Sequence, residues 1–341
     1  MLLSEIAMQA SVSTATVSRA INQPEIVAPQ ALARIRAVME QHDYTPLPLN
    51  LRRGPKNRGC RVLRLGVWFV GAKAGDPSLG WFQDQMSEFG VNRPRRRVEL
   101  QMLFSNSVHD LPQAITTEKL DGVIIPRQQP ALEVFKKLSQ LPHVWFMTRQ
   151  TDDYPGDYVE PNNEENGRMA ADYLARRGHR NVAVLTTGPG CSANVSRAQA
   201  FMHRATELRL RAHRIFGDEN PQVSNPEILP LNSGIEQLVQ RLRQQDPCPS
   251  GLFLPADHFA GALFRALRNA GLQHGTDFEI TLGNYKTLVY NFLDRHLALL
   301  DINLSTLIHT VIDRLVWRID NREIQGRIGI TVSPTLRPAT N

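Results

Sequence analysis

The chain has 341 residues, 42% hydrophobic and 21% charged, with a formal net charge of +6. That size and composition predict about two folded domains with sizeable cores and exclude a wholly disordered chain. No apolar run approaches the roughly 18 residues that a membrane span needs, and the start MLLSEIAMQA lacks the pattern of a secretory signal.

The first 44 residues read as three short helices. Ser4 is placed as the N-cap of a helix through Ala10, interrupted at Ser11-Val12. Ser13 then caps a second helix, Thr14 to Ile21, because a serine oxygen can accept an orphan backbone N–H. Pro24 stops the second helix, and a third runs from Pro29 to Gln41 with Leu32, Ile35 and Val38/Met39 on one face. Ile6, Ala7, Val12, Val17 and Ile21 supply the apolar contacts between the first two. This is helix-turn-helix spacing. Such a motif lays its second helix in the DNA major groove with the N-terminal residues against base edges. Thr14, Ala15 and Thr16 stand there and suit bases or a thymine methyl. Ser13 and Ser18 suit phosphate oxygens, and Arg19 can reach a phosphate or a guanine edge.

Residues 44–64 carry six basic residues (Arg52, Arg53, Lys56, Arg58, Arg61, Arg64) and no acidic one. The segment YTPLPLNLRRGPKNRG has linker composition. Beyond it, short apolar runs (LRLGVWFV, VELQMLF, DGVIIP, VWFM, VAVL, GLFL, EITL, LALL, IGITV) are interspersed with amphipathic stretches. The latter are Asn166–Arg177, Arg197–Leu208, Ile235–Gln244, Phe259–Ala270 and Leu304–Ile319. Apolar strands alternating with helices predict parallel sheets covered on both faces, and the number of strands predicts two doubly wound subdomains. Three isolated cysteines, Cys60, Cys191 and Cys248, support neither a disulfide framework nor a zinc site, and a reducing compartment fits them. Nucleotide-loop, nucleophile-elbow and metalloprotease motifs are not found, so neither an enzyme nor a cofactor is expected.

The order of parts is similar to bacterial regulators of the lactose-repressor (LacI/GalR) type. Ala7, Val12-Ser13, Thr16-Val17-Ser18-Arg19 and Asn22 match the family's headpiece signature, and Tyr44 and Pro46 match its end. Leu65–Val67, Asp121–Ile125, Gly178-His179-Arg180, Arg197 with Ala200-Phe201, and Ser333–Pro338 resemble the family beyond it. The resemblance implies a helix-turn-helix headpiece at 1–44, a basic hinge at 45–60, and a periplasmic-binding-protein-like sensor at 61–341. Within the sensor, an N-subdomain is expected at about 61–160 and 297–322, and a C-subdomain at about 161–296 and 323–336. It further implies a cytoplasmic, nucleoid-associated homodimer that binds a pseudo-palindromic double-stranded DNA operator, responds to a small-molecule effector and has no membrane association. The alternative is a diverged sensor that answers to a partner protein.

Family hinges wedge a leucine into the minor groove. Here the hinge departs from the family pattern, leaving Leu49 or Leu51 for that role and Arg52, Arg53 and Lys56 for groove or phosphate contacts. Arg197 matches the arginine that contacts the effector, and Asp257 matches a polar residue after a strand. Ser78, Trp81 and Phe82 are candidates to wall the pocket, with Arg149 beside it. Where the family has aspartates, this chain has Asn162-Asn163 and Asn284-Tyr285. The loss of carboxylates beside Arg149 and Arg197 leads to the expectation of an anionic sugar derivative as effector.

Overall fold

A computed structural model of the chain describes residues 3–42, 44, 61–73, 96–117, 119–138, 141–148, 152–186, 192–217, 234–257, 259–284 and 297–339. The chain divides into two compact units, Met1–Arg61 and Val62–Asn341.

The first unit holds α1 (Leu3–Gln9), α2 (Thr14–Asn22) and α3 (Pro29–Gln41), with one 3-10 turn at Pro24–Ile26. Ser4 is not the N-cap of α1, because the helix already begins at Leu3 and takes Ser4 into its first turn. The chain leaves α1 through Ser11, whose φ of 54° is left-handed. Glycine adopts that conformation freely and serine at some cost. The Val12 N–H donating to the Ala7 carbonyl at 2.9 Å closes the turn. Pro29 starts α3, where a missing N–H costs nothing. Ile6, Ala7, Ala10, Val17 and Ile35 form the small core, with Val12, Ala20, Ile21, Val38, Met39 and Tyr44 packed around it.

The second unit contains two six-stranded sheets. The first comprises β1 (Arg61–Phe69), β2 (Arg96–Phe104), β3 (Gly122–Pro126), β4 (His143–Phe146), β5 (Asp157–Pro161) and β11 (Gly329–Val332), in the order β11-β5-β4-β3-β1-β2. The second comprises β6 (Asn181–Thr186), β7 (Arg211–Phe216), β8 (Gly251–Leu254), β9 (Glu279–Leu282), β10 (Ala298–Asp301) and β12 (Thr335–Arg337), in the order β12-β10-β9-β8-β6-β7. Their helices are α4 (Gln113–Thr117), α5 (Leu132–Phe135), α6 (Asn163–Arg176), α7 (Ser192–Glu207), α8 (Ile235–Arg243), α9 (Ala260–Asn269) and α10 (Leu304–Asp320). Both faces of β1 are buried: Leu63, Leu65 and Val67 face one core, and Trp68 and Val70 the other. That two-sided burial is why its sequence is a continuous apolar run rather than an alternating one.

The expected subdomain boundaries need two corrections. β10 pairs in parallel with β9 and so belongs to the second sheet, while α10, which follows it, packs Leu307, Ile308, Val311 and Leu315 into the first sheet's core. β11 pairs with β5 in the first sheet, and only β12 reaches the second. LALL and IGITV read as buried strands wherever they pair, and the choice of sheet is a long-range fact. Three strands not anticipated, β5, β7 and β12, are polar or short.

A buried ion-pair group fastens α10 to β5. Asp157, 1% exposed, accepts from Arg314 Nε at 2.6 Å, Arg318 Nη2 at 2.6 Å and the Ile328 N–H at 2.9 Å. Burial alone pushes its carboxyl up, but those donors outweigh burial and hold it below the usual carboxylate range. Glu279 at the start of β9 is similar. Burial raises it, while Tyr173, His179 and Arg177 donate to it and bring it below the usual range. The Tyr173 phenol is correspondingly pushed up to about 12, by burial first and by Glu279 second.

Candidate DNA interface and sensor site

Helix α2 is built to present its N-terminus. Ser13 sits in extended backbone, its hydroxyl accepting from the Thr16 N–H at 3.1 Å and lying 2.8 Å from the Thr16 hydroxyl. At the other end the Gln23 N–H donates to the Arg19 carbonyl at 2.7 Å. Val17 is fully buried and fixes the rotation of the helix about its axis. Ala15 and Arg19, spaced i and i+4, therefore share the face pointing away from the core. Thr14, Ala15 and Arg19 are exposed, and Thr16 and Ser18 are half-buried. Polar hydroxyls, a small methyl and one guanidinium on a pinned helix can approach base edges closely and donate to a guanine. Leu51, Arg52, Arg53 and Lys56 lie outside the described residues.

In the second unit, Arg197 lies in the second turn of α7 and is only 1% exposed. Its Nε donates to Asn163 Oδ1 at 2.8 Å. Its Nη1 donates to the Pro255 carbonyl at 2.7 Å, the Gly283 carbonyl at 3.2 Å and Asn284 Oδ1 at 2.6 Å. One guanidinium thus ties the start of α6 to the residues that follow β8 and β9. Asn166 Nδ2 adds a bond to the Gly283 carbonyl at 2.8 Å. The close approach of α6 and α7 depends on Gly167, where a Cβ would stand 2.1 Å from the Arg197 carbonyl oxygen.

Beside this knot are acceptors that no described residue satisfies. Asp257, three residues past β8 and 2% exposed, has one carboxylate oxygen with no donor. Asn166 Oδ1 and Thr186 Oγ1, the latter at the end of β6, are also buried without a partner. Buried acceptors are almost always satisfied, and these stand at or beside the carboxyl ends of parallel strands, where such sheets take ligands. The structure brings Arg197, Asn284 and Asp257 together at this end of the sheet. Ser78, Trp81, Arg149 and Tyr285 lie outside the described residues. Sequence reasoning treated Arg197 as standing at a helix start, whereas the helix begins five residues earlier and buries it. It also passed over Asn166 and Thr186, which carry no motif. Among the described residues no group of three or more His, Cys, Asp or Glu could hold a metal ion, and no helix is long and apolar enough to cross a membrane.

Residues 2–47 match the family model described as bacterial regulatory proteins, lacI family, and residues 171–338 match that of a periplasmic binding protein-like domain. The ribose operon repressor of Escherichia coli (strain K12) is 23% identical over 95% of this chain and 94% of its own length. The probable repressor ExuR of Bacillus subtilis is 22% identical over 82% of this chain and 80% of its own. Among solved structures, a CelR–cellobiose complex superposes with a TM-score of 0.63 at 18% identity, covering 99% of both chains. A lac repressor dimer bound to operator and an anti-inducer gives a TM-score of 0.58 at 22% identity, covering 99% of this chain and 98% of that one. An Enterococcus faecalis LacI-family regulator with bound ribose gives 0.61 at 17% identity, covering 81% and 97%. Residues 2–47 thus form a domain of the lacI-family type and residues 171–338 one of the periplasmic binding protein-like type, and the full-length relatives that match are transcriptional repressors.

Proposed function

We propose that this protein is a cytoplasmic, nucleoid-associated repressor that binds a pseudo-palindromic operator as a homodimer and is controlled by a sugar or sugar derivative. The observation that carries the DNA half is α2, capped by Ser13, pinned by Val17 and offering Thr14, Ala15 and Arg19 on its free surface. One such helix makes few phosphate contacts, so two-fold pairing of headpieces on paired half-sites is the economical way to specific affinity. In this reading α2 reads the bases, and Arg52, Arg53 and Lys56 of the following basic segment contact backbone or minor groove.

The sensor half rests on the unsatisfied acceptors Asp257, Asn166 and Thr186. Acceptors call for a ligand that donates, and the hydroxyls of a sugar do so. Nε and Nη1 of Arg197, expected to meet an anion, are instead turned onto Asn163, Pro255, Gly283 and Asn284. A hydroxyl-rich ligand therefore fits this end of the sheet better than a sugar acid. A ribose operon repressor among the relatives, and cellobiose and ribose in the solved structures, support that class.

Selection of binding sites from a random duplex library with the full chain tests the DNA half, with enrichment of a two-fold related site expected and no enrichment contradicting it. On the selected site, Arg19→Ala is expected to weaken binding by about 1–3 kcal/mol at fixed salt and to relax preference at one base pair per half-site. Thermal-shift screening tests the sensor half. Neutral pentoses and hexoses are expected to stabilise the wild type but not Asp257→Ala, and stabilisation by sugar acids alone would contradict the reading.

A further inference from the structure

The second unit joins its two sheets by three chain crossings: Pro161 to Asn163, Asp301 to Leu304, and Val332 to Thr335. The first two are both bonded to the third. The Asn162 N–H donates to the Val332 carbonyl at 2.8 Å. Asn303 Nδ2 donates to the Ser333 carbonyl at 2.8 Å and to Thr335 Oγ1 at 3.0 Å, and Thr335 Oγ1 also lies 3.4 Å from Asn303 Oδ1. The Asn303 N–H donates to Asp301 Oδ1 at 2.9 Å, and Arg337 Nη2 donates to Asp301 Oδ2 at 2.6 Å. Asn303 stands at φ 54°, ψ 51°, a left-handed backbone that asparagine tolerates better than most residues. That backbone turns the chain from β10 of the second sheet into α10 of the first and aims the amide at the neighbouring crossing.

We propose that Asn303 is a positioning residue that sets how the two sheets are held relative to one another, and so where the sensor rests between open and closed arrangements. The link between β11 and β12 is only Ser333-Pro334, and two residues span about 7 Å at most. The sheets therefore cannot separate, and relative motion must be rotation taken up by a few backbone angles in the crossings. The amide of Asn303 bridges two crossings, and rotating one crossing against the other breaks or bends its bonds to Ser333 and Thr335. These bonds lie at the surface, where each is worth little net free energy. A clasp of that strength biases an equilibrium without locking it, which is what a ligand with modest differential affinity requires. The inference goes beyond the sugar reading and holds for any ligand, or for none.

The test uses the full chain and the near-isosteric Asn303→Asp, which keeps the left-handed preference but sets an acceptor against the Ser333 carbonyl. Two readouts are taken without ligand. One is amide hydrogen exchange at Asn162 and Asn303, compared with core amides of β3 and β8. The other is the distance distribution between spin labels at Lys136 and Arg209, in a chain whose Cys60, Cys191 and Cys248 are serines. The expected result is exchange at least tenfold faster at the crossings, core amides changed less than twofold, and a distribution at least twice as wide. A distribution of unchanged width, or exchange raised equally in both sheets, would overturn the proposal, the latter by reducing Asn303 to a general stabiliser. If Asn303→Asp does not fold, Thr335→Val, which removes one acceptor and keeps the shape, decides by the same criteria with a smaller expected shift.

Discussion

Arg197 joins three loops through four atoms of its neighbours, so removing it leaves buried acceptors short of a donor. Arg197→Met keeps most of the aliphatic volume but leaves Asn163, Asn284 and the Pro255 carbonyl without this donor, while the Gly283 carbonyl keeps Asn166. A buried acceptor left unpaired costs about 1–3 kcal/mol, and relaxation recovers part of it. The variant is expected to lower the stability of the sensor by about 3 kcal/mol, read as a lower urea midpoint with an unchanged m-value. At the headpiece, Ser13→Ala removes the cap of α2 and is expected to cost about 1 kcal/mol, read as fraying of that helix by amide exchange. The two residues were not equally legible in the sequence. Ser13 stands directly before a periodic apolar run, and its partner Thr16 is three residues away. The importance of Arg197 came from its resemblance, while its burial did not, because its partners lie 34 to 87 positions along the chain.

Elements with one strong local signal were readable, and those fixed by distant partners were not. The helices α2, α3, α8 and α9 and the apolar strands β1, β3, β6 and β8 stand close to where periodicity put them. The RAHRIF segment of β7 was missed because it is an edge strand, and its arginines meet solvent instead of a second neighbour. DYVEP of β5 was missed because its first residue is a buried aspartate whose partners, Arg314 and Arg318, lie 157 and 161 residues on. That aspartate makes α10 sensitive to pH. Its folded carboxyl is held below the unfolded value, so its stabilisation is complete above about pH 4 and lost as pH falls through the folded value. Glu279 adds to the loss over the same range, since it too is held low. Asp157→Asn leaves Arg314, 8% exposed, without its counter-charge. It is expected to cost about 3–5 kcal/mol at pH 7. Urea unfolding from pH 7 to pH 3 checks the sign: the gap between wild type and variant should narrow as pH falls, and a gap that widened would contradict the assignment.

On the scale of the whole molecule, the two units divide the labour. The first buries a small core and, in the proposed reading, gains specificity from being used in pairs on DNA. The second carries two sheets stitched by three crossings, which on the proposal above would turn events at the strand ends into a change of angle. What the sequence could not convey was how those sheets exchange strands at the C-terminal end, since β10, α10, β11 and β12 alternate between them. The central claim is that this chain recognises a specific two-fold DNA site. It is tested most directly by equilibrium binding of the full chain, at one fixed salt concentration, to a selected operator, to its half-site and to a scrambled duplex. The account predicts at least a thousandfold preference for the operator over the scrambled duplex, in the range typical of specific regulators, with the half-site bound far more weakly than the whole. Equal affinity for all three duplexes would contradict it.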